Sequence, residues 1–400
     1  MPLAAGRHHV AIPGPSVMPD RVLRAMHRPA PDIYSAEFAE MVHGLYPDLL
    51  AVARDTEANV AIYIANGHGA WEAALINVLA QGDRVLVLSS GHFARGWAGV
   101  ARALGAQVEV IDAGPGGALP LDRLEARLRE DRHGAIRAIL CVHVDTSNGV
   151  RNDVAAVRAA MDATGHPALL MVDCIASLGC ERFEMADWGV DVMLAASQKG
   201  LMTPPGLGFV FFGARAAEAR LRADRVTPYW DWQPRAAPEM FYQLFGGTAP
   251  THHLYALREA LTMLVHEEGI ESALARHAVL ARALWAAAEI WSRAGALEIA
   301  VADPSRRSHS VTAFRTEGDH GTRLREWLAA HAGVTLGIGL GNAPPDTPDW
   351  HRLFRIGHMG HLNAHMLLGV LGSLQAGMVA LGIPHGAGGL DAAAAVCAGS

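Results

Sequence analysis

Short apolar runs alternate with amphipathic segments through the first half of the chain. The runs are rich in branched residues and end at glycine, proline or polar clusters, which predicts strands separated by helices. The predicted strands are Val60–Ile64, Arg84–Ser89, Gln107–Ile111, Ile136–His143, Ala168–Val172, Val190–Ala196 and Leu207–Phe212. The predicted helices between them are Ala73–Leu79, Phe93–Leu104, Leu119–Arg129 and Asn152–Thr164. Near-continuous apolar strands indicate a sheet buried on both faces, so we expect an α/β fold with a mostly parallel sheet covered by helices.

The pattern changes on either side of this region. Helical spacing is predicted for Asp20–Met26, for Phe38–Arg54 with an interruption near Pro47, and for His252–Ala294, while residues 213–250 are predicted to be irregular. Short strands and helices after about residue 295 predict a smaller α+β domain. Its strands are Ser310–Phe314, Val334–Gly337 and Leu353–Ile356, its helices are Gly321–Ala332 and Leu362–Leu381, and Pro384–Ser400 is a tail. We therefore expect an N-terminal arm (1–20), a large domain (21–270) and a small C-terminal domain (271–400).

One segment, Leu362–Ile383, contains no charged residue and is about as long as a membrane span. Its bulky side chains recur at helical spacing, and polar residues such as Asn363 and Gln375 interrupt it. We interpret it as a buried helix and expect no membrane partner.

Composition limits the functional classes. The 400 residues are 51% hydrophobic and 18% charged with a net charge of −7, which argues against nucleic acid or an anionic membrane as the partner. The four cysteines show no paired metal-ligand spacing, so no metal site is predicted. The N-terminus lacks the apolar region of a secretory signal, and the predicted location is cytoplasmic.

The main candidate for chemistry is Lys199, which follows the predicted strand Val190–Ala196. Pro204, Pro205 and Gly206 come directly after it and force a tight return into the next strand. An unpaired buried ammonium is costly, and desolvation frees a lysine amine for imine chemistry. The alternative at this point is a lysine on an exposed corner.

Other polar groups follow neighbouring strands. Asp173 ends the strand that precedes Lys199, and Thr146 and Ser147 follow Ile136–His143. Ligands of such sheets bind beyond the carboxyl ends of the strands. The turn Gly67-His68-Gly69 lies between a strand and a helix and forms a possible phosphate nest.

An imine-forming lysine, a carboxylate for a ring nitrogen and a phosphate nest together describe a site for pyridoxal 5′-phosphate. Phe93, at the start of the next helix, is placed to lie on the face of the cofactor ring.

At these residues the sequence resembles the class V (fold type I) pyridoxal-phosphate aminotransferases, and within them the alanine/serine–glyoxylate branch. The resemblance extends over nearly the whole chain. The motifs that carry it are Pro13-Gly14-Pro15-Ser16, Gly67-His68-Gly69-Ala70, Val172-Asp173-Cys174-Ile175, Ser197-Gln198-Lys199, Pro204-Pro205-Gly206, Thr248-Ala249-Pro250 and Phe354-Arg355-Ile356-Gly357.

The resemblance implies a role for each matched residue. Lys199 would form the aldimine and move the proton, Asp173 would pair with the pyridine nitrogen, and Thr146 or Ser147 would bond the ring hydroxyl. Arg355 would bind the substrate carboxylate through a planar two-point contact. The remaining cofactor contacts would come from Gly67, His68, Gly69, Ile175 and Gln198, and, across a homodimer interface, from Tyr242 and Thr248.

The reaction implied is a ping-pong transamination from a small amino acid (serine, alanine or aspartate) to glyoxylate or pyruvate. Asp32–Ser35 and His361 depart from the family pattern and leave the donor open. A lyase of the cysteine desulfurase type is an alternative, but no cysteine lies between Cys180 and Cys397 to act as its nucleophile. A cofactor-binding scaffold without turnover and a pyridoxamine–pyruvate transaminase are further alternatives.

Overall fold

The computed structural model describes residues 3–114 and 116–399. The strands are β1 His9–Ala11, β2 Asn59–Ala65, β3 Arg84–Ser89, β4 Gln107–Asp112, β5 Ile136–Val142, β6 Val144–Asp145, β7 Val150–Arg151, β8 Leu169–Asp173, β9 Val192–Ala196, β10 Gly206–Phe212, β11 Leu297–Ile299, β12 Val311–Thr316, β13 Val334–Ile338 and β14 Leu353–Gly357. The helices are α1 Asp20–Met26, α2 Ala36–His43, α3 Leu45–Ala53, α4 Gly67–Ile76, α5 His92–Ala103, α6 Leu121–Glu130, α7 Val154–Asp162, α8 Ala214–Arg220, α9 Gln233–Ala236, α10 Thr251–Leu261, α11 Ile270–Trp291, α12 His320–His331, α13 Pro348–His351, α14 Ala364–Leu381 and α15 Gly389–Ala398.

The central element is a seven-stranded sheet in the order β2-β10-β9-β8-β5-β3-β4. The five strands from β9 to β4 are parallel, and β10 runs antiparallel to both of its neighbours. Alternate residues of one strand enter different cores: Ile139 and Cys141 of β5 face one, and Ala138 and Leu140 face the other. Both faces are therefore covered, which explains why the strands read as continuous apolar runs and confirms the predicted α/β class.

A second sheet has the order β1-β13-β14-β12-β11. The strands from β13 to β11 pair antiparallel, whereas β1, from the start of the chain, adds a parallel edge beside β13. Side chains such as Phe314, Phe354 and Leu371 form a separate core beneath it. The α+β character expected of the C-terminal part is confirmed, and the boundaries 1–20, 21–270 and 271–400 stay a prediction.

Several element boundaries differ from the sequence prediction. The helix expected at Ala73–Leu79 begins at Gly67, because Asn66 caps it. The helical region 252–294 is broken at Gly269, whose φ of +81° interrupts the helix after a π-helical turn at Thr262–Glu268. The run 213–250 is not wholly irregular, since α8 and α9 lie in it, and the tail contains α15. The break expected near Pro47 lies instead at Gly44, between α2 and α3.

By length and composition alone, helix α14 could cross a membrane, and 33% of the helix is buried inside the protein. Its buried residues, which include Leu367, Leu371 and Leu374, face the core of the second sheet. The expected helix is confirmed, but only one of its faces is buried.

Candidate active site

Lys199 lies in the loop that joins β9 to β10, and it is the only lysine in the sequence. Its side chain is 8% exposed, and its ammonium donates a hydrogen bond to the carbonyl of Pro13. Burial, and next the charge of Arg355, lower the pKa of Lys199 to about 8, while Asp173 opposes this shift. The exposed-corner alternative is therefore wrong, and the amine loses its proton closer to neutral pH than an exposed lysine does.

The segment 12–16 crosses directly over this lysine. The Ser16 hydroxyl donates to the Lys199 carbonyl at 2.7 Å, and the Ser16 amide donates to the Gln198 carbonyl at 2.9 Å. Gly14 has a φ of +93°, and a Cβ there would lie 2.5 Å from the lysine side chain. Only glycine fits this approach, so the N-terminal segment forms one wall of the site.

Asp173 ends β8, the strand beside β9, and is 3% exposed. Its Oδ1 accepts from the Ile175 amide at 2.7 Å, and its Oδ2 accepts from the Trp71 indole at 2.8 Å. Burial raises the pKa of Asp173 to about 7, and these two hydrogen bonds and Lys199 act in the opposite direction. The two residues that the sequence singled out are thus brought to the same end of the sheet, close enough for each charge to stabilise the other.

The glycine turn forms the N-terminus of α4. The Asn66 side chain accepts from the amides of His68 at 3.0 Å and Gly69 at 3.2 Å. A Cβ at Gly67 would lie 2.4 Å from Cδ1 of Ile175, so the turn packs against the residue whose amide holds Asp173. The amide groups at this helix end form an environment that suits a phosphate.

In the loop after β5, the hydroxyl groups of Thr146 and Ser147 differ in their hydrogen bonds. Ser147 donates its hydroxyl to Asp145, whose other oxygen accepts from the Phe93 amide at 3.0 Å. The Thr146 hydroxyl has no hydrogen-bond partner among residues 3–114 and 116–399. The geometry therefore leaves Thr146 as the hydroxyl available to a ligand, while Asp145 fixes Phe93 at the start of α5.

Arg355 lies on β14 and is 6% exposed. Its Nε donates to the Ile338 carbonyl at 2.6 Å and its Nη1 donates to the Thr146 carbonyl at 2.7 Å. No carboxylate in the described part of the chain pairs with it, and burial lowers its pKa to about 10. A buried guanidinium held only by carbonyls is suited to receive an external carboxylate.

Two predicted cofactor residues lie outside this cluster. Tyr242 is 56% exposed and Thr248 is also exposed, and neither side chain bonds to another site residue within the described chain. Their contact with a neighbouring subunit stays a prediction. Among the described residues there is no group of three or more histidine, cysteine or acidic side chains that could hold a metal ion.

Sequence reasoning missed two residues that shape the site, Trp71 and Asp145. Asp145 was visible only as one of several polar residues after β5. Trp71 lies on α4 one turn after the glycine turn, at a spacing that also suits an ordinary core residue. No sequence signal distinguished its hydrogen bond to Asp173 from simple burial.

Comparison with known proteins agrees with this geometry. The family model for aminotransferase class-V matches residues 13–349. The serine–glyoxylate aminotransferase of Methylorubrum extorquens is 37% identical over 94% of this chain and 92% of its own length. The L-aspartate–glyoxylate aminotransferase of Paracoccus denitrificans is 34% identical over 94% of this chain and 92% of its own length.

A solved structure extends the similarity to three dimensions. Pyridoxamine–pyruvate aminotransferase from Mesorhizobium loti superposes with a TM-score of 0.86 at 26% identity, covering 100% of this chain and 99% of that one. The predicted fold, that of the fold type I transferases, is confirmed.

Proposed function

Because the chain belongs to the class-V aminotransferase family, we propose that it is a pyridoxal 5′-phosphate-dependent transaminase that moves the amino group of a small amino acid to glyoxylate or pyruvate. The observation that carries this proposal is the buried pair of Lys199 and Asp173. The serine–glyoxylate and L-aspartate–glyoxylate relatives support serine or aspartate as donor, and alanine is the third candidate.

The residues present fit the cofactor. The Oε1 atom of Gln198 is buried without a hydrogen-bond partner. A buried polar atom is normally satisfied, so it supports a ligand at this end of the sheet. Gln198 and the turn Gly67-His68-Gly69 would hold the phosphate, Thr146 the ring hydroxyl, Asp173 the ring nitrogen, and Ile175 and Phe93 the ring faces.

When bound, the cofactor supplies an aldehyde and a ring that withdraws electrons from the reacting carbon. Lys199 would hold the cofactor through its amine, and a pKa of about 8 leaves roughly a tenth of that amine unprotonated at pH 7. The same Nζ would move the proton to and from the substrate Cα as general acid and base. Arg355 orients the substrate through its carboxylate.

The proposed assembly is a homodimer in the cytoplasm, with Tyr242 and Thr248 reaching the cofactor phosphate of the other subunit. Large apolar side chains exposed near these residues, Ile64, Tyr229 and Met240, support an interface here. The Tyr229 hydroxyl donates to the Ile64 carbonyl at 3.2 Å, so two of them form one patch.

The alternatives receive unequal support. A desulfurase needs a mobile nucleophilic cysteine, but Cys141, Cys174 and Cys180 are fully buried and burial raises the pKa of each thiol. The similarity to pyridoxamine–pyruvate aminotransferase keeps a free vitamer substrate as the second candidate.

The test is a set of half-reactions. The protein loaded with pyridoxal phosphate is mixed with serine, alanine, aspartate or glutamate, and the absorbance of the bound cofactor is followed. We expect at least one donor to convert the spectrum to that of the pyridoxamine form, and glyoxylate to reverse it. No conversion by any of the four would refute the transaminase. Turnover of free pyridoxamine with pyruvate, without retained phosphate cofactor, would establish the second candidate.

A further inference from the structure

The carboxylate of Asp173 is held by two neutral N–H donors. One is the main-chain amide of Ile175, and the other is the Trp71 indole, its only side-chain hydrogen-bond donor among the described residues. An indole N–H can only donate and does not titrate near neutral pH, so it favours the ionised carboxylate.

Neighbouring side chains hold the indole ring of Trp71 in one position. Trp71 is 1% exposed and stacks on Trp97 with a centroid distance of 6.4 Å and an interplanar angle of 18°. His68 and Phe93 contact it at centroid distances of 4.5 and 6.2 Å, and a Cβ at Gly96 would lie 3.3 Å from its ring. The N–H therefore cannot turn away from Asp173.

The neutrality of this donor has a chemical consequence. A lysine or arginine in its place would also stabilise the carboxylate anion, but it would repel a protonated ring nitrogen bound to the same carboxylate. An indole stabilises the anion and leaves the negative charge for the ligand. The helix that carries Trp71 also presents the glycine turn, so α4 connects the phosphate end to the ring-nitrogen end of the site.

We propose that Trp71 is a positioning residue that favours the ionised form of the Asp173 carboxyl and orients it toward the ring nitrogen of the cofactor. This role rests on the proposed function, because it assumes that Asp173 pairs with a pyridine nitrogen. The other charged groups that face Asp173 are Asp145, which opposes its ionisation, and Lys199, which favours it. The nearby thiols of Cys141 and Cys174 are neutral, because burial raises the pKa of both.

The chain offers a matched control for this test. Trp71→Phe keeps an aromatic ring in the stack and removes the N–H. Trp97→Phe makes the same change in the neighbouring ring, whose indole nitrogen is buried without a partner. Both tryptophans are essentially unexposed, so the two variants lose comparable packing and differ in the hydrogen bond.

The readout is the pKa of Asp173 in the cofactor-free protein, measured by NMR on protein with ¹³C-labelled aspartate carboxyls and assigned with Asp173→Asn. In the unmutated protein we expect a pKa of about 7. Trp71→Phe should raise it by about one unit or more, and Trp97→Phe should leave it in place. An unchanged pKa in Trp71→Phe, or an equal rise in both variants, would overturn the proposal.

A second measurement needs no tryptophan variant and serves if Trp71→Phe does not fold. One indole N–H signal of the unmutated protein should shift with pH at the midpoint of the Asp173 titration. That shift should disappear in Asp173→Asn. If no indole signal follows the Asp173 titration, the hydrogen bond is not formed in solution and the proposal fails.

A third measurement connects the hydrogen bond to the cofactor. At pH 7, Trp71→Phe should bind pyridoxal phosphate more weakly than the unmutated protein by about fivefold or more, because a smaller share of Asp173 is ionised, and Trp97→Phe should bind it nearly unchanged. Equal affinities in all three proteins would refute the role toward the cofactor. If the unmutated protein binds no pyridoxal phosphate while the Asp173 titration behaves as expected, the proposed function is wrong and the effect of Trp71 on Asp173 remains.

Discussion

Three charged residues of the candidate site are each less than a tenth exposed: Lys199, Asp173 and Arg355. Burial is the largest cause of the pKa shift of each residue, and in every case it favours the neutral form. Holding such groups without full neutralisation costs stability, which proteins tolerate mainly where a ligand or a reaction uses the charge. The burial of these three charges therefore fits the anionic substrate and the cofactor proposed for this site.

The first prediction concerns Arg355. Arg355→Gln should lower kcat/KM for the amino donor by about 100-fold or more, because a two-point charged hydrogen bond to the substrate carboxylate is lost. Cofactor affinity should change little. Arg315→Gln is the control, since Arg315 lies on the adjacent strand β12 and is half exposed beside Glu298. Steady-state kinetics that show equal effects for both variants would contradict the assignment.

For single residues, the sequence predicts the site residues that lie at or just after the ends of strands. It does not predict the site residues that lie on helices. Lys199 and Asp173 follow apolar strands, so their position beyond the sheet can be inferred. Trp71 acts through one indole hydrogen bond, which depends on how α4 packs on β9 and β10 and has no sequence signature. The choice between Thr146 and Ser147 likewise depends on which hydroxyl Asp145 binds.

At the scale of elements, helix α4 and the loop after β8 are in direct contact through Gly67 and Ile175. A methyl group on Gly67 would displace the end of the Ile175 side chain, because a Cβ there would lie 2.4 Å from Cδ1 of Ile175. Ile175 in turn donates its amide to Asp173. A displacement of Ile175 would thus reach the carboxylate that is proposed to hold the ring nitrogen.

The second prediction follows from this contact. Gly67→Ala should weaken pyridoxal phosphate binding by about tenfold or more, since overpacking typically costs about 1–3 kcal/mol. Adding Ile175→Val removes the atom in conflict and should restore part of the affinity, as a double-mutant cycle would show. Gly99→Ala, on α5 with open space around its Cβ, should have no effect. Additive effects of the Gly67 and Ile175 changes would contradict the proposed contact.

The seven strands of the large sheet agree with the sequence prediction within about two residues, because most of them are buried and their apolar runs are continuous. The short strands β1, β6, β7 and β11 are not predicted. Helix starts are predicted less well. The turn Gly67-His68-Gly69 appears non-helical from its glycines, but the Asn66 cap satisfies two of its amides and brings it into α4. The break at Gly269 depends on a positive φ, which an apolar pattern does not reveal.

At the scale of the whole molecule, buried polar groups join the two sheets. Glu181, next to the large sheet, accepts from the main-chain amide of His309 and lies 2.9 Å from its ring nitrogen Nδ1. His358, directly after β14, extends this contact into the second sheet: its Nδ1 bonds to the His309 carbonyl and its Nε2 to the Thr312 hydroxyl, both at 2.9 Å. Such a network is satisfied only when both sheets are in place, so it specifies their relative arrangement.

Three buried histidines should make the fold sensitive to acid. Burial lowers the pKa of His143 and His277 to about 4 and that of His358 to about 3. In the unfolded chain each titrates at about 6.5. Between about pH 6.5 and 4 the unfolded state therefore binds more protons than the folded state, and the free energy of unfolding falls as the pH falls.

The third prediction isolates one of these residues. Neither ring nitrogen of His143 bonds to a described residue, and its ring packs against Phe183 and Trp188. His143→Phe should therefore fold, and it removes one titrating group. From pH 7 to pH 5 the unmutated protein should lose about 2 kcal/mol more unfolding free energy than the variant, as measured by denaturant titration. Equal losses would show that His143 does not stay neutral in the fold.

The central claim is that pyridoxal phosphate is attached to the protein through Lys199. Because the sequence has a single lysine, borohydride reduction of the loaded protein followed by peptide mass spectrometry tests it directly. The expected result is a reduced pyridoxyl adduct on the Lys199 peptide, and no covalent adduct in Lys199→Arg. A loaded protein that yields no adduct on Lys199, or an adduct that persists in Lys199→Arg, would contradict the account.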